Sequence, residues 1–142
     1  RMSVNPSSVV AISAASNSTG LIPKFNKSLQ NPPESPWFDW IADGTKRYEG
    51  RLWKDDWSAL KADDIIVFVC PKKRELTCRV VSTPRYESFG AAFDALGSAL
   101  VPVPGVSTAD VVKIYGQYYS DEDVSHYGVV AIEVEPIHLQ SI

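Results

Sequence analysis

The chain has 142 residues and a mass of 15.6 kDa, 44% apolar and 22% charged, the proportions of one ordinary soluble domain with a single core. Lys and Arg number 14 against 17 Asp and Glu, and the formal net charge of −3 excludes a protein that holds long duplex nucleic acid by charge alone. No apolar run approaches the ~18–20 residues of a membrane span; Cys70 and Cys78 cannot staple a disulfide-dense scaffold, and His126 and His138 sit in no zinc-type Cys/His spacing.

Residues 1–35 are rich in Ser, Asn and Pro with no sustained helical or strand period, and read as an arm or linker preceding a domain over 36–142. Arg1 ahead of Met2 reads as a tag remnant or a cut end, and the short Ser-interrupted apolar run 9–16 reads as linker or applied strand rather than a signal peptide. Ser35-Pro36 predicts a helix start, with Ser as cap and Pro in the first turn, carrying Trp37, Phe38, Trp40 and Ile41 and ending at Gly44. Residues 46–52 read as a strand, 54–61 as a helical turn, and 65–69 as a β-branched strand buried on both faces, with 74–83 as its neighbour. Helices follow over 88–96, from the capping signal at Ser107 to about 118, and from Ser120 to about Tyr127; a last strand runs over 129–136. The order predicts an α+β domain on a small, strongly curved sheet.

Chemistry concentrates in Gly44-Thr45-Lys46-Arg47-Tyr48-Glu49-Gly50-Arg51. Strand alternation puts Glu49 and Arg51 on one face, where they can pair, with Lys46 at the strand entry. A fixed Lys, Glu and Arg beside Tyr48 or Trp53 suits a planar polar ligand: the cations take carbonyl or phosphate oxygens, the carboxylate accepts N–H donors, and an aromatic ring stacks. An exposed, salt-bridged strand is the competing reading. Lys72, Lys73, Arg74, Arg79 and Arg85 read as a solubilising turn or a phosphate-tracking patch, Asp121-Glu122-Asp123 as helix-start acids rather than a metal site, and the two cysteines as buried apolar groups. No motif implies a cofactor.

The segment 44–51 resembles the GxKxxExR signature of the ASCH domain (activating-signal-cointegrator homology) family, of the PUA-like superfold of small mixed β-barrels with flanking helices. The likeness continues in order through Asp56-Trp57, Asp64-Ile65-Ile66-Val67-Phe68, Tyr86-Glu87-Ser88-Phe89, Leu100-Val101-Pro102, Tyr118-Tyr119-Ser120 and Tyr127-Gly128-Val129-Val130, spanning about 36–138. One departure is Asp63-Asp64, where many members carry Gly-Asp, which alters a turn rather than the motif. The resemblance implies a cleft with Lys46, Glu49 and Arg51 at its floor and Ser88, Tyr118, Tyr119, Ser120 and Tyr127 along it.

It also implies RNA or a nucleotide- or nucleoside-type ligand, no membrane, and an intracellular, cytoplasmic setting. One branch resembles an amidohydrolase acting on N4-acetylcytidine through a Lys and a Thr three residues on; here Glu49 follows Lys46, so the hydroxyl is missing. Lys46 and Glu49 are then the candidate catalytic pair, with Glu49 as base on a water, although adjacent cations weaken a carboxylate in that role. A ribonuclease and a protein-interaction module of a larger regulator, with a protein partner, are the other readings.

Overall fold

The computed structural model describes residues 21–72 and 74–138. The apolar run at 9–16 and Lys73 lie outside the described residues. In chain order the elements are β1 (Phe25–Ser28), α1 (Trp37–Ala42), β2 (Tyr48–Leu52), α2 (Asp55–Ser58), β3 (Ile65–Val69), β4 (Glu75–Ser82), β5 (Arg85–Tyr86), α3 (Phe89–Leu96), a 3-10 turn (Gly97–Ala99), α4 (Thr108–Gly116), α5 (Asp121–Tyr127) and β6 (Val129–Pro136).

The strands form one mixed sheet in the order β1-β3-β4-β6-β2, with β5 also on β6, curled into a half-barrel of α+β class. Only β1 and β3 run parallel; the other pairings are antiparallel. β6 is central because its start pairs with β2 on one side and β5 on the other, while its end pairs with β4. A register shift between Val80 and Ser82 bends β4 away and leaves the start of β6 to β5, the usual effect of a bulge on a curled sheet. Ile66, Val67 and Phe68 are fully enclosed, as the unbroken apolar run requires. Cys70 and Cys78 are free and buried, and burial pushes the Cys78 thiol up to about 12, which keeps it protonated and inert.

Three local expectations change. The segment 1–35 is not uniformly an arm: Phe25, Asn26, Lys27 and Ser28 pair in register with Ile66, Val67, Phe68 and Val69, and Leu29 is 3% exposed in the core. Ser35 does not cap α1; Asn31 does, accepting the Asp39 backbone N–H at 3.1 Å and donating to its carboxylate at 3.0 Å. The turn before β3 keeps a left-handed residue without glycine, since Asp63 stands at φ 76° and its carboxylate receives Arg79 at 2.7 Å.

Leu29→Ala tests whether this part of the arm belongs to the domain. Removing a buried leucine side chain should cost about 2–4 kcal/mol in urea unfolding, against under ~0.5 kcal/mol if residues before Ser35 are a dispensable tail.

Candidate functional site

β1 and β2 are the two ends of the sheet, and a cavity of about 180 Å³ lies between them. Residues Glu49, Gly50 and Arg51 of β2 form one wall, and Ser28, Leu29 and Gln30 form the other. The Arg51 guanidinium spans the gap. Its Nε donates to Glu49 Oε2 at 2.7 Å, its Nη2 donates to the Ser28 carbonyl at 3.1 Å, and its plane lies 4.4 Å from the Trp57 ring centroid. Burial acts against the Arg51 charge, and Glu49 more than offsets it, so its pKa is raised. Glu49 is itself only 7% exposed, which makes the pair a fixed, nearly desolvated dipole rather than a mobile surface bridge.

Aromatic rings cover the remaining sides. Phe89 stacks on Tyr115 at 4.0 Å and 7° and on Tyr119 at 5.3 Å, while Trp37 faces Tyr115 at 6.4 Å. This stack needs Gly50: a Cβ there would stand 3.0 Å from the Tyr115 hydroxyl and 3.3 Å from Phe89, so any side chain would push the rings off β2. Burial raises the Tyr115 pKa well above its ordinary value and also raises that of Tyr119, so both phenols remain neutral hydrogen-bond donors near pH 7. Tyr118 stands half-exposed at the mouth.

Lys46 is 1% exposed but does not line this cavity. Its ammonium donates to the Leu100 carbonyl and lies 5.0 Å from the Trp37 ring centroid, so it supports the cavity from behind Trp37. Desolvation pushes its pKa down to about 8, with Glu49 opposing and Arg51 assisting the shift.

Of the residues expected in one cleft, Glu49, Arg51, Tyr118 and Tyr119 line the cavity and Lys46 backs it. Tyr48, Ser88, Ser120 and Tyr127 do not join them. Tyr48 pairs in register with Glu133 beneath Arg47, because strand alternation turns it away from Glu49. Ser88 and Ser120 cap α3 and α5, accepting the Ala91 and Asp123 N–H groups. Tyr127 lies under Lys54 at the end of α5. The supposed phosphate-tracking patch is dispersed as well, since Arg74 is bound to Asp39 and Arg79 to Asp63 and Glu135.

Sequence reading missed Trp37, Tyr115 and residues 28–30 as lining groups. The three-and-four spacing of Tyr115 at the end of α4 to Tyr118 and Tyr119 in the turn after it was the available signal for Tyr115.

The ASCH domain profile matches residues 34–138 of this chain. The chain belongs to the ASCH domain family. A crystal structure of the hypothetical protein PH0355 is 35% identical, with a TM-score of 0.68 over 80% of this chain and 98% of its own. The solution structure of PF0455 from Pyrococcus furiosus is 29% identical, with a TM-score of 0.61 over 81% of this ASCH chain and 98% of its own. No curated protein matches the chain.

The buried lysine sets a pH test. Between about pH 8 and the ordinary 10.5, Lys46 holds fewer protons folded than unfolded, so its contribution to stability rises with pH across that window. Relative to Lys46→Met, which shares every other titrating group, the wild-type chain should gain up to about 3 kcal/mol between pH 7 and pH 10.5 in urea unfolding. Parallel stability curves for the two proteins would contradict a depressed Lys46.

Proposed function

We propose that this ASCH domain binds a nucleoside-type ligand, either free or as an unpaired RNA residue, in the cavity between β1 and β2. The observation that carries the reading is the fixed Glu49–Arg51 pair set against a wall of stacked aromatic rings. A planar base edge carries both N–H donors and carbonyl acceptors. The unused lone pairs of Glu49 accept the former, and Arg51 and the neutral phenols of Tyr115 and Tyr119 supply donors to the latter. The pair is neutral in sum, which favours a polar, uncharged ring over a polyanion and accords with a chain of net charge −3.

The hydrolase reading draws on one feature, the Lys46 amine brought down to about 8 and so closer to a useful base. Its Nζ is engaged with the Leu100 carbonyl and Lys46 is not among the lining residues, while Glu49 is already held by Arg51. Binding without turnover is therefore the better-supported function.

Thermal-shift and calorimetric titration with the four common ribonucleosides, their 5′-monophosphates and N4-acetylcytidine tests this. At least one should stabilise the fold, by about 2.7 kcal/mol at a hundredfold excess over Kd. Glu49→Gln, which keeps the shape, should weaken that ligand about tenfold or more through the loss of charged hydrogen bonds. Deacetylation of N4-acetylcytidine that disappears in Glu49→Gln would replace the binding reading with the hydrolytic one.

A further inference from the structure

The helical side of the molecule is acidic out of proportion to the chain. Residues 87–127, which carry α3, α4 and α5, hold six carboxylates against one lysine, Lys113, in a chain of net charge −3. Two of the six are used locally: Asp94 accepts the Thr108 hydroxyl, and Asp110 closes the capping box that starts α4. The other four, Glu87, Asp121, Glu122 and Asp123, are exposed, and their carboxylates have no hydrogen bond or ion pair among the described residues. The start of α5 balances part of this charge, but a helix end supplies only about half a positive unit, against three carboxylates in its first turn. Arg85, two residues before Glu87, rests on the Trp53 ring at 3.6 Å instead of pairing with it.

Glu87 and Asp121 border a hollow of about 420 Å³ between the three helices, whose apolar lining includes Phe89 of α3, Val112 of α4 and Val124 of α5. Phe89 is already stacked on Tyr115 and Tyr119, so the aliphatic groups are the ones left to be covered, and Val112 is 46% exposed. Gly116 keeps the hollow open. It ends α4 without the left-handed φ that a helix-terminating glycine usually supplies, and a Cβ there would meet nothing within 4 Å. Neither backbone conformation nor close packing therefore requires glycine, which costs helix stability relative to alanine. One turn after Val112 on the same face of α4, it leaves empty room beside an uncovered valine.

Three constraints define the occupant. The uncovered valine and the room at Gly116 call for an aliphatic side chain. Unpaired carboxylates on both rims call for a cation on either side of it, and Glu122 and Asp123 carry the negative surface on past the hollow. A polyamine brings cations without an apolar group, and nucleic acid and anionic lipid are repelled. A protein segment with an aliphatic residue between lysines or arginines meets all three. We infer that the α3–α4–α5 face docks a basic segment of a partner protein, with its aliphatic anchor seated against Val112, Val124 and Gly116 and its flanking cations on Glu87 and Asp121. This surface is separate from the cavity between β1 and β2, with which it shares only Tyr115 and Tyr119.

A peptide array probed with the full chain at low salt tests the inference. Each short peptide carries one Leu, Ile or Val with Lys or Arg on both sides at varied spacing, and matched arrays replace the apolar residue by Ser or the cations by Glu. Wild-type protein should retain a subset of the first array about tenfold over its serine counterparts and none of the glutamate peptides. In anisotropy titrations of the best peptide, Gly116→Leu, which fills the room, should weaken binding about tenfold, whereas Gly116→Ala should keep most of the affinity. Val112→Ser, at an exposed position, should weaken it as well. Glu87→Gln combined with Asp121→Asn should cost about fivefold and flatten the salt dependence, while Glu75→Gln, an exposed carboxylate on β4, should change nothing. An array with no retained peptide, equal retention of the apolar and serine peptides, or undiminished binding in Gly116→Leu and Val112→Ser would overturn the inference. So would spermine binding as tightly as the best peptide, which would make the acidic rim a site for cations alone.

Discussion

Arg51 is the group on which both the closure of the sheet and the candidate site depend. From β2 it neutralises Glu49, and it reaches across to the last carbonyl of β1, so one guanidinium ties the two ends of the half-barrel together. A sheet with two open edges is prone to pairing with other chains, and this tie keeps the edges facing one another. The same contact leaves a cavity between them whose polar floor is already paired and oriented. Loss of either partner would strand a nearly buried charge, at a cost of roughly 3–5 kcal/mol.

Support for that floor comes in layers. Glycine at position 50 lets Tyr115 and Phe89 lie flat against β2, and Trp37 continues the aromatic wall toward the mouth. Behind Trp37 the enclosed Lys46 ammonium fixes the Leu100 carbonyl and the indole together. Ligand contact and positioning are thereby divided between residues three apart in sequence: Glu49 faces the cavity, and Lys46 holds the wall beside it. The ASCH domain of this chain also draws part of its site from residues 28–30, ahead of the 34–138 segment that the family profile matches.

Much of this was legible from sequence where one local rule acted alone. The β-branched run Ile65-Ile66-Val67-Phe68-Val69 forms the enclosed strand, and Ser107 and Ser120 cap their helices because a short hydroxyl before a helical period has little else to do. The Glu49–Arg51 pair followed from strand alternation. What escaped depended on partners distant in sequence. β1 spans only Phe25 to Ser28, and it is held by parallel pairing to β3 some forty residues away rather than by its own Ser- and Asn-rich propensity. Trp37 and Tyr115 look like ordinary core residues until the curl of the sheet brings α1 and α4 to the same edge. Ser35 yielded its capping role to Asn31 because the incoming arm crosses the start of α1.

The cavity is small, charge-balanced and walled by rings, suited to one planar group. The seam between β1 and β2 remains the centre of the account, and amide mapping tests it most directly. In a 1H–15N NMR titration with the ribonucleoside that gives the largest thermal shift, the account expects the strongest changes at the amides of Leu29, Gln30, Gly50 and Arg51 and at the Arg51 side-chain Nε. Changes gathered instead at the far end of the fold, around Phe93 and Val103–Val106, with the seam silent, would contradict it.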